Sequence, residues 1–268
     1  MSSEIKLGNT LIRADLNVPI ENKIILDNFR IIKAVEHLEE IRKKSRTVTF
    51  LSHLGRPHGV ESEFSLEPLA REMSKILNEE VIFINSVYGS EVGNKINNQP
   101  GKIFLLENLR FHKEELENSE SFAKRVTQNF DTFILDAFGA AHRRHSSIVS
   151  FGKFIESYQG KLMTNEVENL QLLVKSPQKP FTVMLGGAKV SDKLELINKL
   201  LPIVDNLLIG GGMCFTFLKA LGNNIGSSLC EDDYLNTAKE LLESENGHKI
   251  HLPSDFGVTK SIDSGLRK

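Results

Sequence analysis

The sequence is poor in cysteine, in net charge and in long apolar runs, and each shortage excludes a class of protein. Only Cys214 and Cys230 occur among its 268 residues, which form neither a disulfide framework nor a cysteine-rich metal cluster. A formal charge of −2 argues against a general surface for nucleic acid or anionic membrane. No apolar run approaches the ~20 residues that cross a bilayer, and Met1–Thr10 lacks the apolar core of a signal peptide. We therefore expect a cytoplasmic protein that binds neither nucleic acid nor membrane.

The composition is that of a globular protein, with 40% hydrophobic and 25% charged residues. Short apolar runs alternate with polar turns and helical patterns, and this rhythm predicts an α/β fold with parallel sheets and crossover helices. Five runs are predicted to be strands that lead into polar loops: Thr47–Leu51, Ile103–Leu106, Phe133–Leu135, Phe181–Leu185 and Leu207–Ile209. Two sets of apolar residues at helical spacing predict covering helices, namely Ile31, Ile32, Val35, Leu38 and Ile41, and Leu194, Ile197, Leu200 and Leu201.

A change of pattern between Lys161 and Pro180 predicts a domain boundary. A polar helical segment ends there at Ser176-Pro177, and a new strand pattern follows. We expect an N-terminal domain at 1–160, a hinge helix at 161–175 and a smaller second domain at 176–268. The second domain shows only three strand patterns, so we expect it to be incomplete.

Arginine recurs in the loops that follow the N-terminal strand patterns. The four loops are Arg13–Pro19, Ser52–Pro57, Asn108–Phe111 and Ala141–His145, and Arg30 opens a helix. Ligands of open α/β sheets bind beyond the carboxyl ends of the strands, so we expect these arginines to meet at one edge. The guanidinium group binds phosphate or carboxylate through two parallel hydrogen bonds. The predicted ligand is therefore a small polyanion, with Asp15 and Asn17 available to contact a hydroxyl group.

Individual members of this set have simpler explanations. Arg110 or Arg143 alone is more often part of a surface ion pair, and His53 can serve only to hold its loop. His145, followed by two serines, is typical of a helix N-terminus with ordinary caps. The recurrence of arginine favours a ligand site, and we include His53 because it shares a loop with Arg56.

Glycine and lysine follow a later strand pattern, in Gly186–Lys193. Backbone N–H groups in front of a helix favour phosphate, and Lys189 and Lys193 add positive charge, although a glycine pair can also simply turn the chain. A second run, Gly210–Gly212, allows another backbone to come close. Neither loop matches G-x-x-x-x-G-K-[ST] or G-x-G-x-x-G, which disfavours a dinucleotide-dependent oxidoreductase.

Six segments together resemble the successive signatures of the phosphoglycerate kinase family. In chain order they are Arg13–Pro19, Ser52–Pro57, Glu107–Phe111, Asp136–Ser147, Gly186–Lys193 and Gly210–Leu218. The resemblance covers essentially the whole chain and implies two Rossmann-like parallel-sheet domains joined by a hinge helix. It implies that a cytoplasmic monomer transfers a phosphoryl group reversibly between 1,3-bisphosphoglycerate and ADP, giving 3-phosphoglycerate and ATP, with Mg²⁺ accompanying the nucleotide.

The resemblance also implies roles for individual residues. The implied 3-phosphoglycerate ligands are Asp15, Asn17, Arg30, His53, Leu54, Gly55, Arg56, Arg110 and Arg143. The implied nucleotide ligands are Gly186, Gly187, Ala188, Lys189, Lys193, Gly211 and Gly212. Arg30 and Lys189 are the implied catalytic residues, and no protein ligand to a metal is implied. The family continues past position 268 into a Gly-Gly-Gly-Asp loop that this chain lacks, so the alternative is a non-catalytic module that binds 3-phosphoglycerate only.

Overall fold

A computed structural model describes residues 6–258, which form an α/β structure. The chain divides into two compact units, Met1–Asn169 (unit 1) and Leu170–Lys268 (unit 2). The first five residues of the predicted N-terminal domain and the last ten of the predicted second domain lie outside the described residues. No described helix combines the length and the apolar character needed to cross a membrane.

Unit 1 is organised around a parallel sheet that has six strands among the described residues. The strands of the unit are β1 (Gly8–Ala14), β2 (Ile20–Glu21), β3 (Ile24–Ile25), β4 (Ser45–Leu51), β5 (Val81–Ile84), β6 (Ile103–Leu106), β7 (Thr132–Asp136) and β8 (Glu156–Gln159). The sheet order is β5-β6-β4-β1-β7-β8, and β2 and β3 form a separate antiparallel hairpin. In the middle of the sheet, Ile12 of β1 lies opposite Phe50 of β4 and Ile134 of β7. The carboxyl ends of these parallel strands therefore share one edge.

Helices cover this sheet on both faces. They are α1 (Phe29–Val35), α2 (Leu38–Arg42), α3 (Glu67–Leu77), α4 (Ser90–Asn98), α5 (Lys113–Leu116) and α6 (Glu120–Thr127). A longer helix, α7 (Lys161–Lys175), follows β8; it contains no buried residue and includes the point at which unit 1 gives way to unit 2. Successive strand side chains point to opposite faces, so neighbouring residues of β1 enter different cores. Ile12 packs in one cluster with Ile31 of α1, whereas Leu11 packs in the other with Phe122 of α6.

The prediction of one apolar helix face from Ile31 to Ile41 is wrong. The chain forms two short helices, α1 and α2, because the backbone leaves helical geometry at His37 (φ −106°, ψ 13°). This break keeps Leu38 buried, while Ile32 is 43% exposed. Tertiary packing of each short segment decides which apolar residues face the core, and a continuous 3.6-residue period cannot represent that change of direction.

Unit 2 contains a smaller parallel sheet of three strands among its described residues, in the order β11-β10-β9. Its elements are β9 (Thr182–Leu185), α8 (Leu194–Leu200), β10 (Asn206–Ile209), α9 (Cys214–Ala220), α10 (Leu235–Glu243) and β11 (Ile250–His251). Ile197, Leu207 and Phe217 are fully buried in the core of this unit. As predicted, the fold is α/β with Rossmann-like parallel sheets.

Candidate functional site

The arginine-bearing loops of unit 1 come together at the carboxyl edge of its sheet. Arg13 lies in β1, His53 follows β4, and Arg110 follows β6. The Nη2 atom of Arg13 is 3.0 Å from Nδ1 of His53, and Nη1 of Arg110 donates to the carbonyl of Gly55 at 2.5 Å. Burial lowers the pKa of Arg110 to about 10, and repulsion from Arg143, from Arg13 and more weakly from Arg56 adds to this effect. Arginines from β1 and from three loops thus share one neighbourhood, at the edge where the sequence predicted that they would meet.

Arg110 carries hydrogen-bond donors that the described protein does not use. The residue is 6% exposed, and its Nε and Nη2 atoms are buried without a partner in residues 6–258. Buried donors are nearly always paired, and a guanidinium group cannot shed its charge to avoid the loss. An acceptor from outside the protein, carrying negative charge, would satisfy both donors.

Two further arginines of the site, Arg56 and Arg143, have no acidic partner among the described residues. Among residues 6–258, neither Arg56, which is exposed, nor Arg143, which is half-buried, lies within ion-pair distance of a carboxylate. The explanation of Arg110 or Arg143 as part of a surface ion pair therefore does not apply to the described structure. Their charge remains available to a ligand.

Both histidines of the site are held in the neutral form. Burial lowers the pKa of His53 to about 2, and Arg13, Arg110 and Arg143 lower it further by repulsion. Burial together with repulsion from Arg110 lowers the pKa of His145 to about 4. In the ligand-free chain, positive charge in the site is therefore carried by arginine at neutral pH, and His53 can contribute a neutral hydrogen bond.

The Ser52–Pro57 loop is shaped by its neighbours. Gly55 has φ +61°, and a Cβ atom there would lie 2.4 Å from the ring of Phe64, so only glycine fits. The Oδ1 atom of Asn17 accepts a hydrogen bond from the Gly55 N–H at 2.8 Å, so this predicted ligand already supports the loop. Leu54 packs its side chain into the core and gives its carbonyl to Asn108 at 2.9 Å. A ligand could reach Leu54 only through its backbone.

Two predicted ligands, Asp15 and Arg30, form a neighbouring ion pair. Nη1 of Arg30 lies 2.7 Å from Oδ2 of Asp15, and half of the arginine side chain is exposed. Both line a cavity of about 390 Å³ together with Asp136 and Gly139. Asp15 therefore contacts a cation rather than a free hydroxyl in this conformation, and Arg30 is directed towards Asp15.

A helical turn begins after His145, as predicted, but the prediction that it has ordinary caps is wrong. Residues 146–150 form a π-helical turn without a side-chain cap. The Oγ atom of Ser147 instead donates to Glu115 at 2.6 Å and accepts from Nε of Arg13 at 3.0 Å. Ser147 and Glu115 were missed from the sequence because they meet only through folding, 32 positions apart, and neither belongs to a recognisable local pattern.

In unit 2, the Gly186–Lys193 loop joins β9 to α8, as its position in the sequence predicts. Two of its N–H groups are already occupied, since the carboxylate of Glu231 accepts from Val190 at 2.5 Å and from Ser191 at 3.1 Å. Burial raises the pKa of Glu231, but the hydrogen bonds from Ser191 and Val190 outweigh burial and lower it overall. The Glu231 carboxylate thus already supplies a negative charge to this turn. The exposed Gly186–Lys189 segment and Lys193 remain accessible to a phosphate.

The two glycine runs of unit 2 pack directly against each other. Gly211 has φ +65°, and a Cβ atom there would lie 2.9 Å from the backbone nitrogen of Gly187. A Cβ on Gly212 would lie 3.3 Å from Cα of Ala188, and the Met213 N–H donates to the Gly187 carbonyl at 2.9 Å. The sequence predicted that Gly210–Gly212 lets another backbone come close, and that backbone is the Gly186–Lys193 loop.

These features define a class of protein: an α/β protein with a cluster of arginines at the carboxyl edge of a parallel sheet, followed by a unit with a glycine-lysine loop. The family model for phosphoglycerate kinase matches residues 2–268. The chain therefore belongs to the phosphoglycerate kinase family.

Individual relatives are similar over nearly the whole chain. The phosphoglycerate kinase of Dictyoglomus turgidum is 42% identical over 262 residues, which is 97% of this chain and 66% of the relative. That of Thermosipho africanus is 44% identical over 98% of this chain and 66% of the relative. The solved structure of phosphoglycerate kinase from Coxiella burnetii is 39% identical with a TM-score of 0.79, over 94% of this chain and 64% of that one. The chain thus spans about two thirds of the length of the relatives that it matches.

Proposed function

We propose that this protein acts as a phosphoglycerate kinase, moving a phosphoryl group reversibly between 1,3-bisphosphoglycerate and ADP to give 3-phosphoglycerate and ATP. The acceptor in the reverse direction is a carboxylate oxygen of 3-phosphoglycerate. Family membership supports the class of reaction. Cys214 and Cys230 are both free, which suits the reducing cytoplasm that we propose as its location.

The observation that carries the proposal is the pair of buried donors on Arg110 that have no partner in the described part of the chain. A phosphate group carries about −1.5 to −2 charges at neutral pH, and a carboxylate adds one more. Arg56, Arg110 and Arg143 would match that charge, while Arg30 and Asp15 lie beside them. His53 supplies a neutral hydrogen bond in our proposal. Acidic metabolites of this kind are therefore the substrate class that best fits unit 1.

For the nucleotide, we propose that Lys189 and Lys193 bind phosphate together with the N–H groups of Gly186, Gly187 and Ala188, and that Gly211 and Gly212 lie beside the nucleoside. Residues 6–258 offer no group of three or more His, Cys, Asp or Glu side chains that could hold a metal. Mg²⁺ therefore enters our proposal as part of the MgATP or MgADP substrate. Phosphoryl transfer asks the protein mainly for positioning and for neutralisation of charge, for which Arg30 and Lys189 remain our predicted residues.

Calorimetric titration of the 268-residue chain with 3-phosphoglycerate tests the substrate site. We expect saturable binding in the wild type and a loss of roughly 10-fold or more in affinity for Arg110→Met, because hydrogen bonds to charged groups are worth about 1.5–3 kcal/mol. Arg71→Met is the matched control, since Arg71 is exposed and its ion-pair partner among residues 6–258 is Glu67 of the same helix. A folded wild-type chain that does not bind, or equal losses in both variants, would refute the assignment.

A second candidate function is binding of 3-phosphoglycerate without phosphoryl transfer. Two observations favour it. Every arginine of the predicted 3-phosphoglycerate site lies in unit 1, and Glu231 already accepts hydrogen bonds from two N–H groups of the predicted nucleotide loop in unit 2. An assay that couples ADP formation to 3-phosphoglycerate and MgATP separates the candidates. Turnover supports the kinase, whereas binding without turnover supports the binding module.

A further inference from the structure

Arg13 is buried beneath the anion site and has all three guanidinium nitrogens engaged. The residue is 1% exposed. Its Nε donates to Oγ of Ser147 at 3.0 Å, its Nη1 donates to the carbonyl of Ala14, and its Nη2 lies 3.0 Å from Nδ1 of His53. Arg13 therefore has a fixed position, and it contacts the predicted ligand residue His53 through the Nδ1 atom of the ring.

A buried carboxylate supports this arginine through Ser147. The Oγ atom and the N–H group of Ser147 donate to the two carboxylate oxygens of Glu115, at 2.6 and 2.9 Å, and Glu115 is 1% exposed. Burial lowers the pKa of Arg13, and the charges of Glu115 and Asp15 oppose this effect. The chain of contacts Glu115, Ser147, Arg13 and His53 is continuous, with a charge of each sign inside it.

The chemistry of the two side chains decides which nitrogen of His53 carries a proton. A guanidinium group has N–H donors and no acceptor, so the Nδ1 atom that faces it must accept. The proton of the neutral ring then lies on Nε2, an atom without a hydrogen-bond partner in residues 6–258. We propose that Arg13, held by Ser147 and Glu115, is a positioning residue that fixes His53 as a neutral Nε2–H donor towards the bound anion. The identity of that anion as 3-phosphoglycerate rests on the function proposed above.

The groups around His53 favour the same state from several directions. Arg13 acts from β1, Arg110 from the loop after β6, and Arg143 and His145 from the loop after β7. Each arginine repels the positive charge that protonation would place on the His53 ring. Among the described residues, Arg13 is the arginine that contacts Nδ1. The other arginines can therefore disfavour protonation of His53, but Arg13 alone can select its tautomer.

The tautomer can be measured without any ligand, by long-range ¹H–¹⁵N correlation spectra of the histidine-labelled 268-residue chain. His53→Asn assigns the signals. In the wild type at pH 7 we expect His53 to be protonated at Nε2 only. In Arg13→Met/Glu115→Gln, which removes both buried charges together, we expect averaged signals from the two neutral tautomers, while burial, Arg110 and Arg143 still keep the pKa of His53 low. Ser147→Ala should shift the signals in the same direction by a smaller amount.

The control for this variant is Arg71→Met/Glu67→Gln, the same chemical change in an exposed pair of α3. A wild-type ring protonated at Nδ1 at pH 7 overturns the proposal. Should the buried double variant fail to fold, the wild-type tautomer and Ser147→Ala decide, and signals unchanged in Ser147→Ala then count against the proposal.

A double-mutant cycle on 3-phosphoglycerate affinity distinguishes positioning from a general structural role. We expect Arg13→Met/Glu115→Gln to weaken binding roughly 10-fold or more in the wild-type background, but less than about 2-fold in a His53→Ala background, because the lost interaction acts through His53. Equal losses in both backgrounds would overturn the proposal. If the wild type does not bind 3-phosphoglycerate, the proposed function fails, and the tautomer measurement alone decides on Arg13.

Discussion

At the scale of single residues, the site contains buried charged groups that lower the free energy of unfolding. Arg110 is buried next to other cations, and two of its donors have no partner among residues 6–258. An unsatisfied buried donor typically destabilises a protein by about 1–3 kcal/mol, and residues that serve binding often carry such a penalty. We therefore expect the unpaired donors of Arg110 to lower the free energy of unfolding of the ligand-free protein. A bound anion that pairs with these donors should raise it again.

This argument predicts that Arg110→Met raises the free energy of unfolding of the ligand-free chain, by about 1 kcal/mol, while it weakens binding. The substitution removes a buried cation and retains apolar volume, although it gives up the hydrogen bond to Gly55. Urea denaturation with and without 3-phosphoglycerate measures both effects. A variant that is destabilised in the absence of ligand would show that Arg110 serves the fold more than the site.

His53 leads to a prediction about pH. Its pKa falls from an ordinary 6.5 to about 2 in the folded chain. Between these values the unfolded chain binds a proton that the folded chain does not, so stability falls as the pH drops below 6.5. The contribution of this one group is at most about 1.4 kcal/mol per pH unit.

We expect His53→Asn to flatten the loss of stability between pH 6.5 and 4.5, because asparagine keeps an acceptor near the Nδ1 position and does not titrate. Denaturant unfolding at several pH values gives the slope. His58→Asn, at an exposed position of the same unit, is the control and should leave the slope unchanged. Identical slopes in the wild type and His53→Asn would mean that His53 is protonated alike in the folded and unfolded chains.

At the scale of elements, unit 2 depends on the contact between its two glycine runs. Gly211→Ala would place a Cβ atom 2.9 Å from the Gly187 nitrogen, at a φ of +65° that alanine disfavours. We expect it to lower the free energy of unfolding of this unit by more than about 1–2 kcal/mol. Gly210→Ala is a close control, because a Cβ there meets nothing within 4 Å and its φ is not positive. Denaturation curves of the two variants that coincide would contradict the predicted contact.

At the scale of the whole molecule, the two units have separate cores. One is formed by the clusters on either face of the larger sheet, and the other surrounds β10. Since the predicted 3-phosphoglycerate ligands all belong to unit 1, the ligand should stabilise that unit selectively. At 100 times the dissociation constant, mass action contributes about 2.7 kcal/mol.

Hydrogen exchange tests this prediction unit by unit. Saturating 3-phosphoglycerate should slow exchange of the slowest amides of β1 and β4 by about 100-fold and leave those of β10 unchanged. Protection that rises equally in both units would indicate that the whole chain unfolds as one cooperative body. The two units would then unfold together despite the hinge that we predict at 161–175.

Much of the architecture follows from local patterns in the sequence. Five strands that precede the arginine and glycine loops were predicted to within about two residues, since buried parallel strands are short apolar runs bounded by turns. Arg13 was placed in a loop, whereas it lies within β1. The parallel order also explains why the arginines share an edge. These properties depend on residues close together in the chain, which is why composition and spacing were sufficient to predict them.

The states of the side chains depended on tertiary structure. His53 is neutral because burial and three arginines from other segments surround it, and Arg13 reaches Ser147 across 134 positions of the chain. Glu231 occupies the Val190 and Ser191 N–H groups from about 40 positions away, and the break between α1 and α2 follows from packing. The sequence by itself determined which charged groups stand at the ends of strands. Only the tertiary structure decided which of them are buried, paired or left with free donors, because burial and pairing depend on neighbours that are distant in the chain.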